Sequence, residues 1–560
     1  MKIYRFIQSY SIKILKEEFK LSDGTILDRT AKISFNDSNN NLIERRKYGV
    51  FDTEKIYELI NEGKEIDVSN CYIKNFSLSA YKYKYELPRE HKVELKNFTA
   101  SQSLFESEKS VDFSNANFIG DKTDFSGTHF GSGNLTFYNS EFGDFPVSFI
   151  NTSYSEGNSN FQYVKFNNGN VNFEDATFQN GDVSFVNAFF GNGFTNFKNI
   201  HFGNGDVNFR FTTFSKGNIT FDKSVFNGDD INFSKIDFGE GKIDFRRVDF
   251  GDGDLDFQEI EVKGKQKIVF RRAKFGSGNT SFKDVHLGQS YMDFDEAEFN
   301  NGKIDFFKAN VHSISVSKCL LNCYIDFRVD SCDSISLKQS IVQNIVDFNP
   351  GLSKMELNTL NLSGVRNMGD IFISWDDNNV LDLICNQEDT SLHDKAEQFR
   401  LLKEEFRDTG RYTDEDKAYI YFKRFELKNH TESLSKESFL KRLFYYPSHA
   451  FQKVIFDWMG LYATNPFRVI FSILVVNLLF AILYTLFMNE ANAISCISND
   501  LSIYSKFFES LYFSAITFFT IGYGECVPLG FFKVVAPIQG FTGVFLMSYF
   551  TVAFVRKILR

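Results

Sequence analysis

The chain has 560 residues, of which 68 are Phe and 24 are Tyr, so that aromatic residues make up 17% of the sequence. Hydrophobic residues at 43% and charged residues at 24% exclude an intrinsically disordered chain. The net charge of -10 argues against a protein that binds nucleic acid through counterion release, so no nucleic-acid partner is expected. Residues 1–21 mix Lys, Glu and Arg with apolar residues, and we expect no signal peptide.

We assign residues 1–66 to an N-terminal cap region and residues 67–375 to a series of repeats, most regular in residues 104–310. The repeats are marked by aromatic residues at fixed intervals. One series has a step of twelve and comprises Phe113, Phe125, Phe137, Phe149, Phe161, Phe173, Phe185, Phe197, Phe209, Phe221, Phe233, Phe245 and Phe257, and resumes at Phe270, Phe282, Phe294 and Phe306. A second series lies five residues further on and comprises Phe118, Phe130, Phe142, Tyr154, Phe166, Phe178, Phe190, Phe202, Phe214, Phe226, Phe238 and Phe250.

These intervals predict a β-solenoid. Steps of five and seven residues fit neither the helical period nor a long alternating strand. Short strands joined by corners would point one aromatic side chain inward from each face, and successive coils would stack these rings about 4.8 Å apart. Because twelve residues enclose too little space for Phe side chains, we take 24 residues and four faces as one coil. Phe327 and Phe348 indicate that later coils, over residues 312–350, have a step of 21 residues.

Glycine is frequent in the seven-residue interval that closes each repeat. We expect these glycines to supply positive φ angles at the corners. They are Gly133, Gly157, Gly169, Gly181, Gly193, Gly205, Gly217, Gly241 and Gly253.

A small residue stands two positions before the inward aromatic residue of the five-residue step, as at Ala116, Ala176 and Ala188. On these residues the segment resembles the pentapeptide-repeat fold, which implies a four-sided, right-handed β-solenoid. The two extra residues per pair depart from the strict five-residue step of that fold. Two functions are open for the solenoid. Interleaved Lys and Arg favour a solvated rod with mixed charge, and the excess of acidic residues leaves DNA mimicry as the alternative.

Residues 390–464 are predicted to form a helical connector. One helix ends near Gly410, and Thr413 with Asp416 indicates a capping box that begins a second helix, so the two form a hairpin. Residues 439–462 combine apolar and basic side chains, which predicts a helix in the membrane interface, with a buried helix of the connector as the alternative. The apolar positions of the hairpin are Phe399, Leu402, Phe406, Ala418, Phe422 and Phe425.

Two uncharged segments near the C-terminus are long enough to cross a bilayer. They are Val469–Met488, within a first span over residues 466–488, and Val534–Val555, within a second span over residues 531–555. Between them, Leu511–Gly524 is apolar but only fourteen residues long, too short to span. We therefore predict a re-entrant pore helix and loop over residues 505–528.

The predicted loop contains Thr517-Phe-Phe-Thr520-Ile521-Gly522-Tyr523-Gly524, which matches the pattern T-x-x-T-x-G-Y-G. Backbone carbonyls that point inward in successive rings can replace the hydration shell of an ion, and the glycines allow the backbone angles that this requires. With this motif, residues 466–556 resemble the two-transmembrane class of potassium channels. The resemblance implies that Thr520, Ile521, Gly522, Tyr523 and Gly524 form a selectivity filter and that K+ binds at Thr520, Ile521, Gly522 and Tyr523. Thr517 would lie on the pore helix.

The same resemblance implies further roles. Glu525 stands where the family usually has Asp at the outer mouth of the pore. Gly540 and Gly543 lie near the family's gating hinge, with close helix packing as the alternative for both. Cys496 and Cys526 flank the pore loop, as does a disulfide-bonded pair in inward rectifiers, so a disulfide between them is implied. Because one subunit supplies a quarter of such a filter, the family implies a homotetramer.

Basic residues precede the first span and follow the second, so the positive-inside rule predicts that both termini and the solenoid are cytoplasmic. Solenoid, hairpin and pore together resemble bacterial pentapeptide-repeat proteins with a potassium-channel domain, which implies a multi-pass protein of the inner (plasma) membrane. The basic residues are Lys441, Arg442, Lys453 and Arg468 before the first span, and Arg556, Lys557 and Arg560 after the second.

The sequence as a whole predicts an α+β multidomain protein in which an N-terminal solenoid regulates or scaffolds a tetrameric potassium-selective channel. We expect no catalytic residues and no cofactor other than permeant K+, so the protein is not expected to be an enzyme. The expected partners are further copies of the chain, the lipid bilayer, and an unknown cytoplasmic ligand or protein on the solenoid. Two alternatives are a non-selective cation channel and a membrane-tethered interaction scaffold with a silent pore.

Overall fold

The structure is a computed structural model that describes residue 7 and residues 9–154, 156–351, 354–435, 446–498 and 501–559. The chain forms two compact units, Met1–Glu388 and Asp389–Arg560. The first unit contains the β-solenoid, and the second contains a helical segment followed by two long apolar helices. The predicted fold class is thereby confirmed.

The first unit begins with an antiparallel sheet of three strands, Ser9–Leu15, Thr30–Asn36 and Leu42–Phe51. The third strand also pairs in parallel with Cys71–Lys74, so the sheet continues directly into the first face of the solenoid. Three further elements belong to this region: the short strands Phe19–Lys20 and Ile26–Leu27, and helix α1, Thr53–Asn61.

The solenoid that follows has about thirteen turns of short parallel strands, arranged in four faces. The first face comprises Cys71–Lys74, Leu104–Glu106, His129–Phe130, Ser153–Tyr154, Thr177–Phe178, His201–Phe202, Val225–Phe226, Lys274–Phe275, Glu298–Phe299, Leu320–Leu321, Ile341–Val342 and Arg366–Asn367. The second comprises Ser110–Asp112, Asn134–Thr136, Ser159–Asn160, Val183–Ser184, Val207–Asn208, Asp230–Asn232, Asp254–Asp256, Thr280–Ser281, Lys303–Asp305, Tyr324–Asp326, Ile345–Asp347 and Asp370–Phe372.

The other two faces begin with the strands Glu65–Asp67 and Val93–Thr99, which pair with each other in parallel. Val93–Thr99 is long enough to pair also with the next strand of both faces, Ala116–Ile119 in the third and Thr123–Asp124 in the fourth. The third face comprises Ala116–Ile119, Glu141–Phe142, Lys165–Phe166, Phe189–Phe190 and Thr213–Phe214. The fourth comprises Thr123–Asp124, Val147–Ser148, Val171–Asn172, Thr195–Asn196, Ile219–Thr220, Ile243–Asp244, Lys267–Val269, Tyr291–Asp293, Asn310–Ser315, Ser331–Ser336 and Glu356–Asn361. Two short helices accompany the solenoid, α2 at Leu78–Lys84 and α3 at Val380–Cys385.

The solenoid core consists of aromatic rings stacked from coil to coil. Phe161 and Phe185, one coil apart, have ring centroids 4.7 Å apart and an interplanar angle of 7°. Neighbouring columns meet edge to face, as Phe161 and Phe173 do at 5.7 Å and 87°. Both arrangements are favoured by the aromatic quadrupole, and these three rings are fully buried. The predicted aromatic ladders are confirmed.

The predicted role of the corner glycines is wrong. None of the nine glycines named above lies in the left-handed region of φ. Glycine is needed there because successive coils approach closely: a Cβ on Gly193 would lie 2.0 Å from the carbonyl oxygen of Gly169, one coil away. The repeated positive φ angles occur instead in the shorter corner, two residues after the inward Phe. Asn115, Asn139, Asn151, Tyr163, Asp175, Asn187, Asn199, Phe211, Lys223, Lys235, Arg247 and Glu259 adopt them.

Two departures from the 24-residue coil are accommodated without interrupting the core. One extra residue precedes Phe270, yet Phe245 and Phe270 still stack at 5.0 Å. Further on, Phe327 stacks at 5.2 Å on both Phe306 and Phe348, which confirms the predicted step of 21 residues. These later coils are shorter because a single six-residue strand, such as Asn310–Ser315, covers two faces and the corner between them.

Charged side chains on the solenoid surface pair between coils. Among the described residues, six such ion pairs join residues 24 positions apart, so at these positions opposite charges face each other on successive coils. The three shortest are Lys198–Glu174 at 3.0 Å, Lys235–Glu259 at 3.2 Å and Arg272–Glu296 at 2.7 Å.

The second unit begins with a helical hairpin of α4, Leu392–Asp408, and α5, Tyr412–Ser435. Ser391 caps α4, since its hydroxyl accepts a hydrogen bond from the Asp394 amide at 3.1 Å. Residues 446–451 are helical and continue into a π-helical segment at Gln452–Trp458. A turn at Leu461–Ala463 and helices α6 (Pro466–Phe487), α7 (Ile503–Phe518) and α8 (Phe532–Ile558) follow. Residues 439–445 of the predicted interfacial helix lie outside the described residues.

Candidate functional site

Helices α6 and α8 are long and apolar enough to span a membrane, with 22 and 27 residues. Helix α7, between them, has 16 residues, or about 24 Å at the helical rise, and is too short to cross the hydrocarbon core. It begins where the Ser502 hydroxyl accepts a hydrogen bond from the Ser505 amide. The three helices pack against one another, so α7 is held as a short helix between two spans.

The loop after α7 contains the residues of the predicted filter. Thr520, Gly522 and Gly524 have φ angles of 55°, 54° and 84°, whereas Ile521 and Tyr523 lie outside the left-handed region. Alternation of this kind turns successive peptide units so that their carbonyls can face one side. A Cβ at Gly522 or Gly524 would have no neighbour within 4 Å, so within one chain the positive φ, rather than crowding, favours glycine.

The start of this loop is anchored to the end of α7. The Ile521 amide donates to the carbonyl of Ile516 at 2.9 Å, and the Thr520 amide donates to that of Thr517 at 3.2 Å. Ile521 and Tyr523 nevertheless remain 51% and 65% exposed. A single chain therefore leaves two large apolar side chains of this loop uncovered.

A buried polar network, not predicted from the sequence, joins the three helices behind the loop. The Tyr484 hydroxyl donates to Gln539 Oε1 at 2.9 Å, and Gln539 Nε2 donates to the Ser514 carbonyl at 2.9 Å. The Ser514 hydroxyl in turn donates to the Asn477 carbonyl at 2.9 Å. The four residues are buried, so this network fixes α7 against both α6 and α8. Polar residues within uncharged spans, such as Asn477 and Gln539, were the available signal.

The two glycines assigned to a hinge have different surroundings. A Cβ on Gly543 would lie 2.0 Å from the Phe518 carbonyl oxygen, so α8 packs directly on the end of α7 there. A Cβ on Gly540 would lie 3.7 Å from the Thr517 carbonyl oxygen, an ordinary contact. Close helix packing, the alternative considered from the sequence, therefore accounts for Gly543 but not for Gly540.

The segments on either side of α7 are linked beyond the filter. Cys496 and Cys526 are joined by a disulfide with a Cα–Cα distance of 4.9 Å. Next to Cys526, the Glu525 carbonyl accepts a hydrogen bond from the Ser495 hydroxyl at 3.3 Å, and Glu525 is exposed. The end of the loop is thus held close to the segment that precedes α7.

The helical hairpin contacts the C-terminal end of α8 directly. The Asp416 carboxylate lies 3.0 Å from Arg556 and 2.9 Å from Lys557, and the Arg556 guanidinium lies 4.5 Å from the centre of the Tyr419 ring. A second ion pair joins Arg424 on α5 to Asp457 in the π-helical segment at 2.8 Å. These contacts could not be predicted from the sequence, because 140 residues separate Asp416 from Arg556.

Comparison with known proteins identifies the C-terminal part of the chain. Residues 471–560 match the family model described as "Ion channel". This region contains most of α6, all of α7 and α8, and the loop with Thr520–Gly524. The protein is therefore a membrane protein that joins an ion-channel domain to a β-solenoid, and the family is one of channels rather than enzymes. No curated protein and no solved structure matches the chain.

Proposed function

We propose that the protein is a potassium-selective channel whose filter is Thr520–Gly524 from four copies of the chain. The observation that carries the proposal is the backbone of this loop, in which every second residue has a positive φ. In each chain the carbonyls of Thr520, Ile521, Gly522 and Tyr523 would supply one quarter of successive rings of oxygen ligands for K+. Glu525 would add a carboxylate at the outer mouth.

Assembly of four chains is supported by the exposure of Ile521 and Tyr523 in the single chain. Apolar side chains of α8 are exposed as well, with Ile538 at 56% and Phe541 at 76%. Four copies around a common axis would cover the filter side of each loop, while lipid would cover the outer faces of the helices. We also propose that the hairpin, Arg556 and Lys557 lie on the cytoplasmic side of an inner membrane, because the basic residues cluster at one end of the two spans.

The test is a measurement of reversal potential with purified protein in lipid vesicles, with KCl inside and NaCl outside. We expect a reversal potential near the potassium equilibrium potential. Gly522→Asp should abolish the current, because it introduces a side chain and a charge into the filter. The matched control is Gly410→Asp in the hairpin turn, where φ is also positive, at 73°, and a Cβ likewise has no neighbour within 4 Å.

Each alternative function has its own outcome in this experiment. A reversal potential near zero would favour a non-selective cation channel. If no current appears in the full chain or in a variant without residues 1–388, the chain is better described as a membrane-tethered scaffold. Because Gly410→Asp has the same change in a similar backbone setting, loss of current in both variants would contradict a specific role for Gly522.

A further inference from the structure

A cavity of about 500 Å3 lies in the second unit, where α5, the π-helical segment, the Leu461–Ala463 turn and α8 meet. Its size is typical of pockets for small ligands. Aromatic rings supply much of its wall: Tyr419 from α5, Phe456 from the π-helical segment, Tyr462 from the turn and Tyr549 from α8. Every element that contributes to the cavity therefore offers an aromatic face.

The Tyr462 hydroxyl is buried and has no hydrogen-bond partner among the described residues. Burial raises the pKa of this hydroxyl to about 12, so it is neutral and can donate a hydrogen bond at physiological pH. A buried polar group without a partner is unfavourable in a folded protein. The hydroxyl oxygen is closed off from the cavity as the side chain stands, so a ligand atom accepts this hydrogen bond, and removes that cost, when the Tyr462 ring turns toward the cavity.

The charges in the cavity wall restrict the kind of ligand. Lys423 and Glu426 are the two formally charged side chains among the described lining residues, and they pair with each other at 2.7 Å. Because these two charges offset one another, the wall carries no net charge apart from any proton on His430, which also lines the cavity. Aromatic walls, a hydroxyl donor and balanced charge together fit a flat, uncharged molecule.

The cavity also borders an unusual backbone segment. Leu461, Tyr462 and Ala463 have φ angles of 46°, 55° and 61°, a run of left-handed conformations that L-residues adopt at a steric cost. Tyr549 of α8 holds this turn: its hydroxyl accepts from the Ala463 amide at 2.8 Å and donates to the Phe456 carbonyl at 3.2 Å. Displacement of α8 would therefore change the turn and the shape of the cavity together.

We propose that this cavity binds a small, uncharged aromatic molecule that carries a carbonyl, an amide or a ring nitrogen, and that its occupancy alters the current through the channel. The ring packs among Tyr419, Phe456 and Tyr549, and the polar group accepts a hydrogen bond from Tyr462. Binding is independent of ion selectivity, whereas the effect on current rests on the proposed function.

The binding test uses the full chain in lipid nanodiscs and saturation-transfer NMR with benzamide as the probe. Cyclohexanecarboxamide carries the same amide on a saturated ring, and we expect it to bind about fivefold more weakly because it lacks a π-face. Tyr462→Phe removes only the hydroxyl and should weaken benzamide binding about fivefold to tenfold. Tyr83→Phe, at a position that is 90% exposed in the first unit, is the matched control and should change nothing.

Leu427→Trp provides a second test, because it fills the cavity from α5 while leaving Tyr462 in place. It should abolish benzamide binding and remove any effect of benzamide on the vesicle current. Equal affinity for wild type and both cavity variants would overturn the proposal, as would no binding by the wild type at about 10 mM, the weakest affinity expected for so small a probe. Specific binding without ion flux would support the site and overturn only the proposed function.

Discussion

The solenoid and the pore loop differ in how completely a single chain buries the side chains of its own sequence motif. In the solenoid, the aromatic residues that define the repeat are buried against the next coil of the same chain, and Phe197 is fully buried. In the pore loop, Ile521 and Tyr523 belong to the most specific motif of the sequence and are largely exposed. A repeated motif can thus specify a complete structure within one chain, whereas the pore motif specifies a loop whose apolar side chains one chain leaves exposed.

The largest expected effect tests this contrast directly. Phe197→Ala should lower the free energy of unfolding of the solenoid by about 3–5 kcal/mol, because it leaves a cavity in a stacked column. Phe194→Ala, at a residue that is 42% exposed on the same coil, should change it by less than about 1 kcal/mol. Chemical denaturation followed by circular dichroism measures both.

Ile521→Ala is the corresponding change in the pore loop. If the loop is completed by other copies, this variant should leave the unfolding of the solenoid unchanged and alter the current or the oligomeric state. Equal destabilisation by Phe197→Ala and Phe194→Ala would contradict the contrast, since burial would then not distinguish the two positions.

An intermediate effect is expected for the ion pairs between the hairpin and α8, because both partners belong to the second unit of the same chain. Asp416→Asn removes the carboxylate that faces Arg556 and Lys557, and should lower the free energy of unfolding of the second unit by about 1–3 kcal/mol. Asp414→Asn is the matched control on the same helix, because its contact with Lys417 is long, at 4.0 Å. Thermal unfolding in nanodiscs provides the measurement, and equal shifts in both variants would argue against a specific contact with α8.

The smallest expected effect concerns the solenoid surface. Asp230 is exposed, and the small loss of hydration in the folded chain raises its pKa, as do the negative charges of the neighbouring Asp206, Asp254 and Asp229. Since this pKa is higher in the folded chain than in the unfolded chain, ionised Asp230 destabilises the fold at neutral pH, and the penalty disappears as pH falls through the folded pKa. Asp230→Asn should therefore raise the unfolding temperature slightly at pH 7. The free energy of unfolding should increase by less than about 1 kcal/mol.

The control for this prediction is pH itself. At about pH 3, below the ordinary pKa of an Asp side chain, wild type and Asp230→Asn should unfold at the same temperature. A variant that is less stable at pH 7 would show that Asp230 makes a favourable contact that outweighs the repulsion.

The repeat could be predicted from the sequence because the spacing of its aromatic residues follows directly from the number of residues in one coil. The spacing of residues such as Phe161 and Phe185 established both the stacked columns and the 24-residue turn. The glycines were misinterpreted for a physical reason: a sequence shows that a side chain is absent, but not whether positive φ or close approach requires its absence. The left-handed positions carry residues as different as Asn115, Tyr163 and Lys223, so composition does not mark them.

In the second unit, the sequence indicated the two spans and the short helix between them because a run of consecutive uncharged residues can be recognised without knowing how the chain packs. The buried network of Asn477, Ser514 and Gln539 is not local, since each residue comes from a different helix and only packing brings them together. The ion pair between Asp416 and Arg556 could not be found for the same reason.

The accommodation of one extra residue before Phe270 has a consequence for how this chain can vary. Since each coil contacts only its two neighbours, an insertion confined to a corner disturbs no ring stack, and gain or loss of a whole coil changes the rod by about 4.8 Å without altering the remaining contacts. Duplication of coils can therefore change the length of the solenoid in fixed increments. Thr520–Gly524 form a single loop without a repeat, so an inserted residue there would shift every later residue of the motif.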